Sequence, residues 1–464
     1  MSKMAKSSSK KPRISWPFWT LCAFIILVFA TGGSSRADIL SVIILRPIAV
    51  LVCAYGAWGI KRGQIAPYQF LFGFAAALFA FVGLQLIPLP PAIWSALPGR
   101  EIVSEIDRVA GLGNVWRPIS MVPVSTWNAL FSMSVPLAVL LLGVQLTQDQ
   151  RFHLLWVFLA LSLVTGVLGL LQATGGDDSP LYLYKITNNG WAVGLFANRN
   201  HQAMFLACIF PMLAITASAG IRTVEQARLR QWAAGAIGAI AIPLVLVTGS
   251  RGGLIASVVA LIAAAFLFQS PKIDQPAKRK IPRLHIRWLI ITFATVGMGL
   301  LTALFSKALA IDRLLASGQS GEDRFAMWPT IAQSAWHYFP IGSGTGSFVE
   351  INQIDEPLRL LTLEYTNHAH NDFLELYLTS GLMGLALLGI AIIAWFRASV
   401  AVWKSPKLQT RSHSFARLGS VIILIMAISS IGDYPVRLPS IMCLVVVSAL
   451  WLQGADKSPR RLPQ

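Results

Sequence analysis

The sequence predicts an all-α, polytopic integral membrane protein of about twelve helices, and three observations carry that prediction. Of 464 residues, 55% are hydrophobic and only 12% charged, against about 25% charged in ordinary soluble domains. Apolar runs near the roughly 20 residues that cross a bilayer core recur from end to end. The basic residues also gather in alternate connections, as they do on the cytoplasmic side of a membrane protein.

The predicted spans are 17–33, 39–60, 68–87, 127–146, 153–172, 201–219, 232–248, 254–269, 288–305, 373–396, 415–430 and 439–452. The second contains Arg46, and the last is short, so these two are the least secure. Starting with the N-terminus inside, the cytoplasmic segments hold Lys3 to Arg13, Lys61, Arg62, Arg151, Arg222, Arg228 and Arg230. They continue with Lys272 to Arg287, Arg397 to Arg417 and Lys457 to Arg461, which together make up most of the 38 lysines and arginines. Both termini are therefore expected in the cytoplasm, with an even number of spans. A basic stretch precedes the first span, but the apolar part is long and no clear small-x-small site follows, so an uncleaved anchor is expected. The net charge of +18, which in a soluble chain would suggest nucleic acid, is here a topology signal, and no nucleic-acid partner is expected. Cys22, Cys53, Cys208 and Cys443 sit inside apolar runs without metal-type spacing and read as small buried hydrophobes.

The spans leave residues 1–464 as a single membrane domain with two substantial outer segments. Segment 88–126, rich in proline from Pro88 to Pro123, reads as an interfacial loop with short helices. Segment 306–372 is the larger, between the ninth and tenth spans. In it Phe325, Trp328, Ile331, Ala332 and Ala335 recur at helical spacing, predicting an amphipathic helix against the membrane face. Pro340 and the run Gly342-Ser343-Gly344-Thr345-Gly346 end that helix. The run follows no predicted strand, so a turn is expected there, not a nucleotide loop. The inner segment 270–287 reads as a basic, solvated linker near anionic lipid. No internal repeat of fixed period is evident.

Four outer clusters could carry chemistry. They are Asn198-Arg199-Asn200-His201, Ser250-Arg251-Gly252-Gly253, Glu322-Asp323-Arg324, and His368-Ala369-His370-Asn371-Asp372 leading into Gly381-Leu382-Met383-Gly384. Arginine at a membrane boundary is costly unless it faces a polar cavity or a partner. Its planar fork suits phosphate oxygens and stays charged, so three arginines on one face could hold a pyrophosphate without a metal. Histidine is the usual general base near neutral pH. Each residue also has a plainer role. The arginines could be interfacial anchors, and His201 and His368 could be structural hydrogen-bonding groups. Arg46 could pair internally or mark a misplaced span end. His368, His370 and Asp372 could ligate a metal, but histidine-x-histidine without a placed third ligand is weak evidence, and no metal or cofactor is expected.

Together these clusters resemble the O-antigen ligase and polymerase superfamily of bacterial surface-polysaccharide assembly. The resemblance runs from about residue 115 onward, through Pro118 to Pro123, Phe196 to His201, Ser250 to Gly253, Arg324 with Trp328, and Pro340 with its glycine run. Its most specific piece is His370-Asn371, then nine residues, then Gly381-x-x-Gly384. The sequence departs after that motif, where Leu385-Ala386 stand in place of small hydroxyl residues; this leaves ligase and polymerase equally open.

What the resemblance implies is a GT-C-like helical fold that performs metal-independent, inverting glycosyl transfer at the periplasmic face of the bacterial inner membrane. The donor would be a polyprenyl-pyrophosphate-linked glycan, and the acceptor a glycan or lipid A-core. His370 matches the proposed general base, and Arg199, Arg251 and Arg324 match donor-phosphate arginines. Asn198, Asn200, His201, Ser250, His368, Asn371 and Asp372 fall around them as substrate-binding candidates, with Asn371 and Asp372 as orienters of the histidine. Two other classes stay open: a transporter or flippase of lipid-linked saccharides, which would place charges near the bilayer midplane, and a non-catalytic scaffold of an assembly complex.

Overall fold

The computed structural model describes residues 15–36, 38–221, 223–269, 318–358, 361, 366–405 and 410–454, and the side chains of 318–324 lie outside that description. Apolar sequences with no polar periodicity become helices buried on most sides or facing lipid. Accordingly the chain is a polytopic all-α membrane protein. The helices run α1 (Trp16–Thr31), α2 (Ser41–Gly59), α3 (Arg62–Leu84), α4 (Glu101–Val109), α5 (Pro123–Gly143) and α6 (Gln148–Gly175). They continue with α7 (Arg199–Ala207), α8 (Ile209–Thr216), α9 (Val224–Val247) and α10 (Arg251–Leu267). Then come α11 (Gly318–His337), α12 (Phe348–Asp355), α13 (Asp372–Lys404), α14 (Arg411–Ser429) and α15 (Pro439–Gln453). Among the described residues, 7 helices are long and apolar enough to cross a membrane, and α1, α10 and α15 are shorter apolar helices.

Each predicted span inside the described residues has its helix, including the insecure second and last. The predicted sixth span is two consecutive helices, α7 and α8. The predicted ninth span, 288–305, and the linker 270–287 lie outside the described residues. The core is made chiefly by α1, α5, α6, α7, α8, α14 and α15, with buried residues of α2, α9 and α10 in the same continuous cluster around Phe29, Phe158 and Phe205. Arg46 pairs internally: its guanidinium donates to Asn128 Oδ1 at 2.9 Å and reaches Ser132 Oγ at 3.4 Å, which satisfies it within the helix bundle.

The described parts of segments 88–126 and 306–372 fold over one end of this bundle. The predicted amphipathic helix is α11, with Met327, Ile331 and Ala335 buried against α12 and α13, and Phe325 exposed. The proline-rich segment contributes a two-residue antiparallel bridge, Pro88–Leu89 with Arg117–Pro118, and the short helix α4. A fully buried arginine ties the two segments together. Arg100 donates to Pro98 O at 2.6 Å, Ile119 O at 2.7 Å and Gly342 O at 3.0 Å. Burial pushes its guanidinium down to about 10, against the charges of Tyr338 and Glu101, which favour the cation.

The glycine run and the Gly381-x-x-Gly384 motif are two halves of one joint. Helix α13 breaks at Gly381, where φ is 54° and ψ −146°, a conformation glycine adopts without steric cost. A break frees carbonyls and an amide, and the glycine run takes them up. Ser343 N–H donates to Leu378 O at 3.0 Å, Gly344 N–H to Thr379 O at 2.8 Å, and Leu382 N–H to Pro340 O at 2.9 Å. A Cβ at Gly381 would lie 2.2 Å from Pro340 O, and one at Gly342 would lie 2.7 Å from Thr379 O. The run is a backbone-packing turn, and it fixes the short first part of α13 that begins just after the His368–His370 loop.

Candidate active site

Two of the arginines stand at the first positions of helices that touch. Asn198 caps α7, its side chain accepting from Asn200 N at 2.8 Å, and Ser250 caps α10, accepting from Gly253 N at 2.9 Å. Arg199 and Arg251 are therefore the first residues of α7 and α10. A Cβ at Gly253 would lie 2.1 Å from the Cβ of Ala203, so only glycine lets the helices approach this closely. Trp191 sits between the two starts. The Arg199 guanidinium lies 3.6 Å from its ring centre, in the range of a cation–π contact. The turn at Gly249, with φ 61°, closes on the same ring, where a Cβ would come within 2.4 Å. Arg251 is exposed beside this turn. Arg324 belongs to α11, and its side chain lies outside the described residues.

The other half of the site is a cluster of histidines and carboxylates around Tyr434. The rings of His201, His368 and His370 lie 4.8, 4.2 and 5.0 Å from the tyrosine ring. Asp433, fully buried, receives His201 Nε2 at 3.1 Å and Asn200 Nδ2 at 2.7 Å, with His370 Nδ1 at 3.6 Å. Burial by itself raises a carboxyl, but the charges and hydrogen bonds of His201 and His370 outweigh it and hold Asp433 well below the ordinary range. Asn200 and His201 follow Arg199 directly in α7, so the arginine pair and the histidine cluster share one helix.

A second carboxylate pair lies alongside. His368 Nδ1 faces Glu375 Oε1 at 3.0 Å, and Ala369 N–H donates to Glu375 Oε2 at 3.0 Å. Arg437 binds Asp372 Oδ1 at 2.7 Å and Glu375 Oε1 at 3.0 Å, and Ser430 Oγ donates to Asp372 Oδ2 at 2.8 Å. Burial lowers a guanidinium, but these carboxylates more than offset it, so Arg437 is held above its usual range.

The sequence expectation that Asn371 and Asp372 orient His370 meets a different arrangement. Asn371 caps α13, accepting from Phe373 N at 3.1 Å and Leu374 N at 3.0 Å. Asp372 is taken by Arg437 and Ser430, and the carboxylate beside His370 is Asp433. His370 occupies a left-handed backbone position, φ 49°, where histidine and asparagine are among the non-glycine residues found most often.

Asp433, Tyr434 and Arg437 escaped the sequence reading, as did Glu375 and Trp191. A signal was present: Gly432-Asp433-Tyr434-Pro435-Val436-Arg437 puts two charges and a tyrosine into a short connection between two apolar runs. Among the described residues, no group of three or more histidine, cysteine or acidic side chains is arranged to hold a metal ion.

Residues 236–389 match the family model described as O-antigen ligase. The match supports the O-antigen ligase superfamily for this chain. The matched segment contains Ser250, Arg251, Arg324 and the His368–Asp372 loop with its two glycines. It does not reach Asn198–His201 or Asp433–Arg437, which the fold brings against it. No curated protein matches the chain.

Proposed function

We propose that the chain is a glycosyltransferase of the O-antigen ligase or polymerase type. It transfers a polyprenyl-pyrophosphate-linked oligosaccharide to an acceptor hydroxyl at the outer face of the bacterial inner membrane. The observation that carries this reading is the adjacency just described: two arginines heading touching helices, one of them two residues from a histidine on the carboxylate that also faces His370.

In this reading Arg199, Arg251 and Arg324 hold the donor pyrophosphate with bidentate, permanently charged groups. The acceptor oxygen attacks the anomeric carbon from the side opposite the leaving group, and the bond from that carbon to the phosphate oxygen breaks. His370 takes the acceptor proton, and Asp433 stabilises the imidazolium that results. One displacement inverts the anomeric centre. The arginines supply the positive charge that offsets the departing pyrophosphate, so the reaction needs no divalent ion.

Purified protein given a polyprenyl-pyrophosphate-linked oligosaccharide and a glycan or lipid A-core acceptor should yield a longer or transferred glycan by mass. It should do so equally in excess chelator. A folded protein that binds the donor and makes no product removes the reading, and loss of product on chelation removes its metal-independent form.

The loop charges support cytoplasmic termini and an outward site. Gly63 and Gly113 are surface positions where a Cβ meets nothing within 4 Å. In a background without the native cysteines, Gly113→Cys should react with an impermeant thiol reagent at the cell's outer side, and Gly63→Cys should not. The reverse pattern overturns the orientation.

A further inference from the structure

One feature of the histidine cluster is not used by glycosyl transfer. Ser35, in the connection between α1 and α2, places its Oγ 2.9 Å from His368 Nε2. The other ring nitrogen, Nδ1, faces Glu375 at 3.0 Å. A buried carboxylate at Nδ1 requires the proton on that nitrogen, which leaves the Nε2 lone pair to accept from the serine hydroxyl. Glu375, 1% exposed, is held in turn by the Ala369 N–H and by Arg437. Nucleophile, base and orienting carboxylate are thus in hydrogen-bond sequence, the arrangement by which serine nucleophiles are recognised on unrelated folds.

All three residues open into one cavity of about 510 Å³. Arg36, Arg46 and Arg437 line it too. Asp38 and Glu350 also line it, but Asp38 is taken up by Arg36 at 2.7 Å, whereas Arg46 donates to the uncharged Asn128 and Ser132. With Glu375 and Arg437 paired as well, the walls combine both signs of charge around the triad.

We infer that Ser35, His368 and Glu375 form a second catalytic centre, a nucleophilic serine triad acting on a carboxylic ester. Ser35 Oγ attacks the ester carbonyl as its proton passes to His368 Nε2. The bond from the carbonyl carbon to the alcohol oxygen breaks, the alcohol leaves with that proton, and the acyl group remains on Ser35. Water then attacks the acyl carbon and gives a proton to His368, and Ser35 departs with it, releasing the carboxylic acid.

The probe is a fluorophosphonate, which phosphonylates activated serines, applied to the purified full-length protein in detergent. Folded protein should gain one label that maps to Ser35, and heat-denatured protein should gain none. Ser35→Ala should abolish labelling. His368→Gln, which stays close in size and leaves the Glu375–Arg437 pair in place, should slow it by about 10²-fold or more. Ser35→Cys should turn the site into a thiol that is alkylated faster than the same variant carrying His368→Gln. Absence of label on folded wild-type protein, a label on another serine, or equal rates with and without His368 would each overturn the triad. The readout needs no glycan donor, so its failure leaves the transferase reading standing, and failure of that reading leaves the triad standing.

Discussion

The arginine pair and the histidine cluster meet the same difficulty, charge at a membrane boundary, in different ways. Arg199 and Arg251 stand at helix starts, one spread over Trp191 and the other exposed. The histidines, His201 buried and His368 and His370 half-buried, instead face buried carboxylates, with Asp433 serving His201 and His370 and Glu375 serving His368. The difference teaches where each region's sensitivity lies. An arginine at a helix start lies at the end of its helix and outside the packed core, so losing it should weaken binding or transition-state charge and leave the fold intact. A carboxylate enclosed by histidines belongs to the fold as well as to the site, because removing one partner leaves another buried and uncompensated.

The largest effect should come from His370. His370→Asn suits the left-handed backbone at this position, and it should lower transfer by about 10² to 10⁴-fold while donor binding persists. Single-turnover assays beside donor-binding titration separate the two, and near-wild-type turnover in the folded variant would end the role of His370 as base.

Asp433→Asn comes next and tests the second half of the comparison. The amide replaces a buried charged acceptor held by Asn200 and His201, so stability should fall by about 1.5–3 kcal/mol, read as a lower Tm together with lost transfer. The sign with pH follows from its lowered carboxyl. Folded Asp433 binds its proton more weakly than the unfolded chain, whose value is near 3.8. Its stabilisation is therefore complete above that pH and is lost as pH falls through the lower folded value. Acid unfolding below about pH 4 should be steeper in the wild type than in the variant; matching acid limbs would refute this account of Asp433.

The smallest effect is at the arginines. Arg251→Lys keeps the charge and loses the fork, which should reduce transfer by about tenfold, or 1.4 kcal/mol of transition-state stabilisation. Arg228→Lys, on an exposed face of α9, should be nearly silent and leave Tm unchanged. Equal losses at the two positions would erase the contrast between a phosphate clamp and an ordinary surface arginine.

Much of this molecule was legible in its order of residues. Span positions follow from apolar run length, because a bilayer core demands about 20 apolar residues per crossing and internal backbone hydrogen bonding. The position of α11 follows from its apolar spacing, while the helix starts at Arg199 and Arg251 fall two and three residues before the expected spans, where Asn198 and Ser250 cap them. The glycine run was readable as a turn, but its partner was not, because the freed carbonyls it satisfies belong to a helix break more than thirty residues away.

What only the tertiary structure decided is which polar groups meet. The sequence placed Asn371 and Asp372 nearest His370, but local proximity lost to capping and to Arg437. Asp433, 63 positions beyond His370 in the chain, supplies the carboxylate because α14 and α15 return it to the same end of the bundle. Ser35 reaches His368 across 333 positions in the same way. Run length and capping are local properties that a chain carries in its order. The pairing of buried charges depends on distances between helices, and those are set by side-chain packing across the whole core.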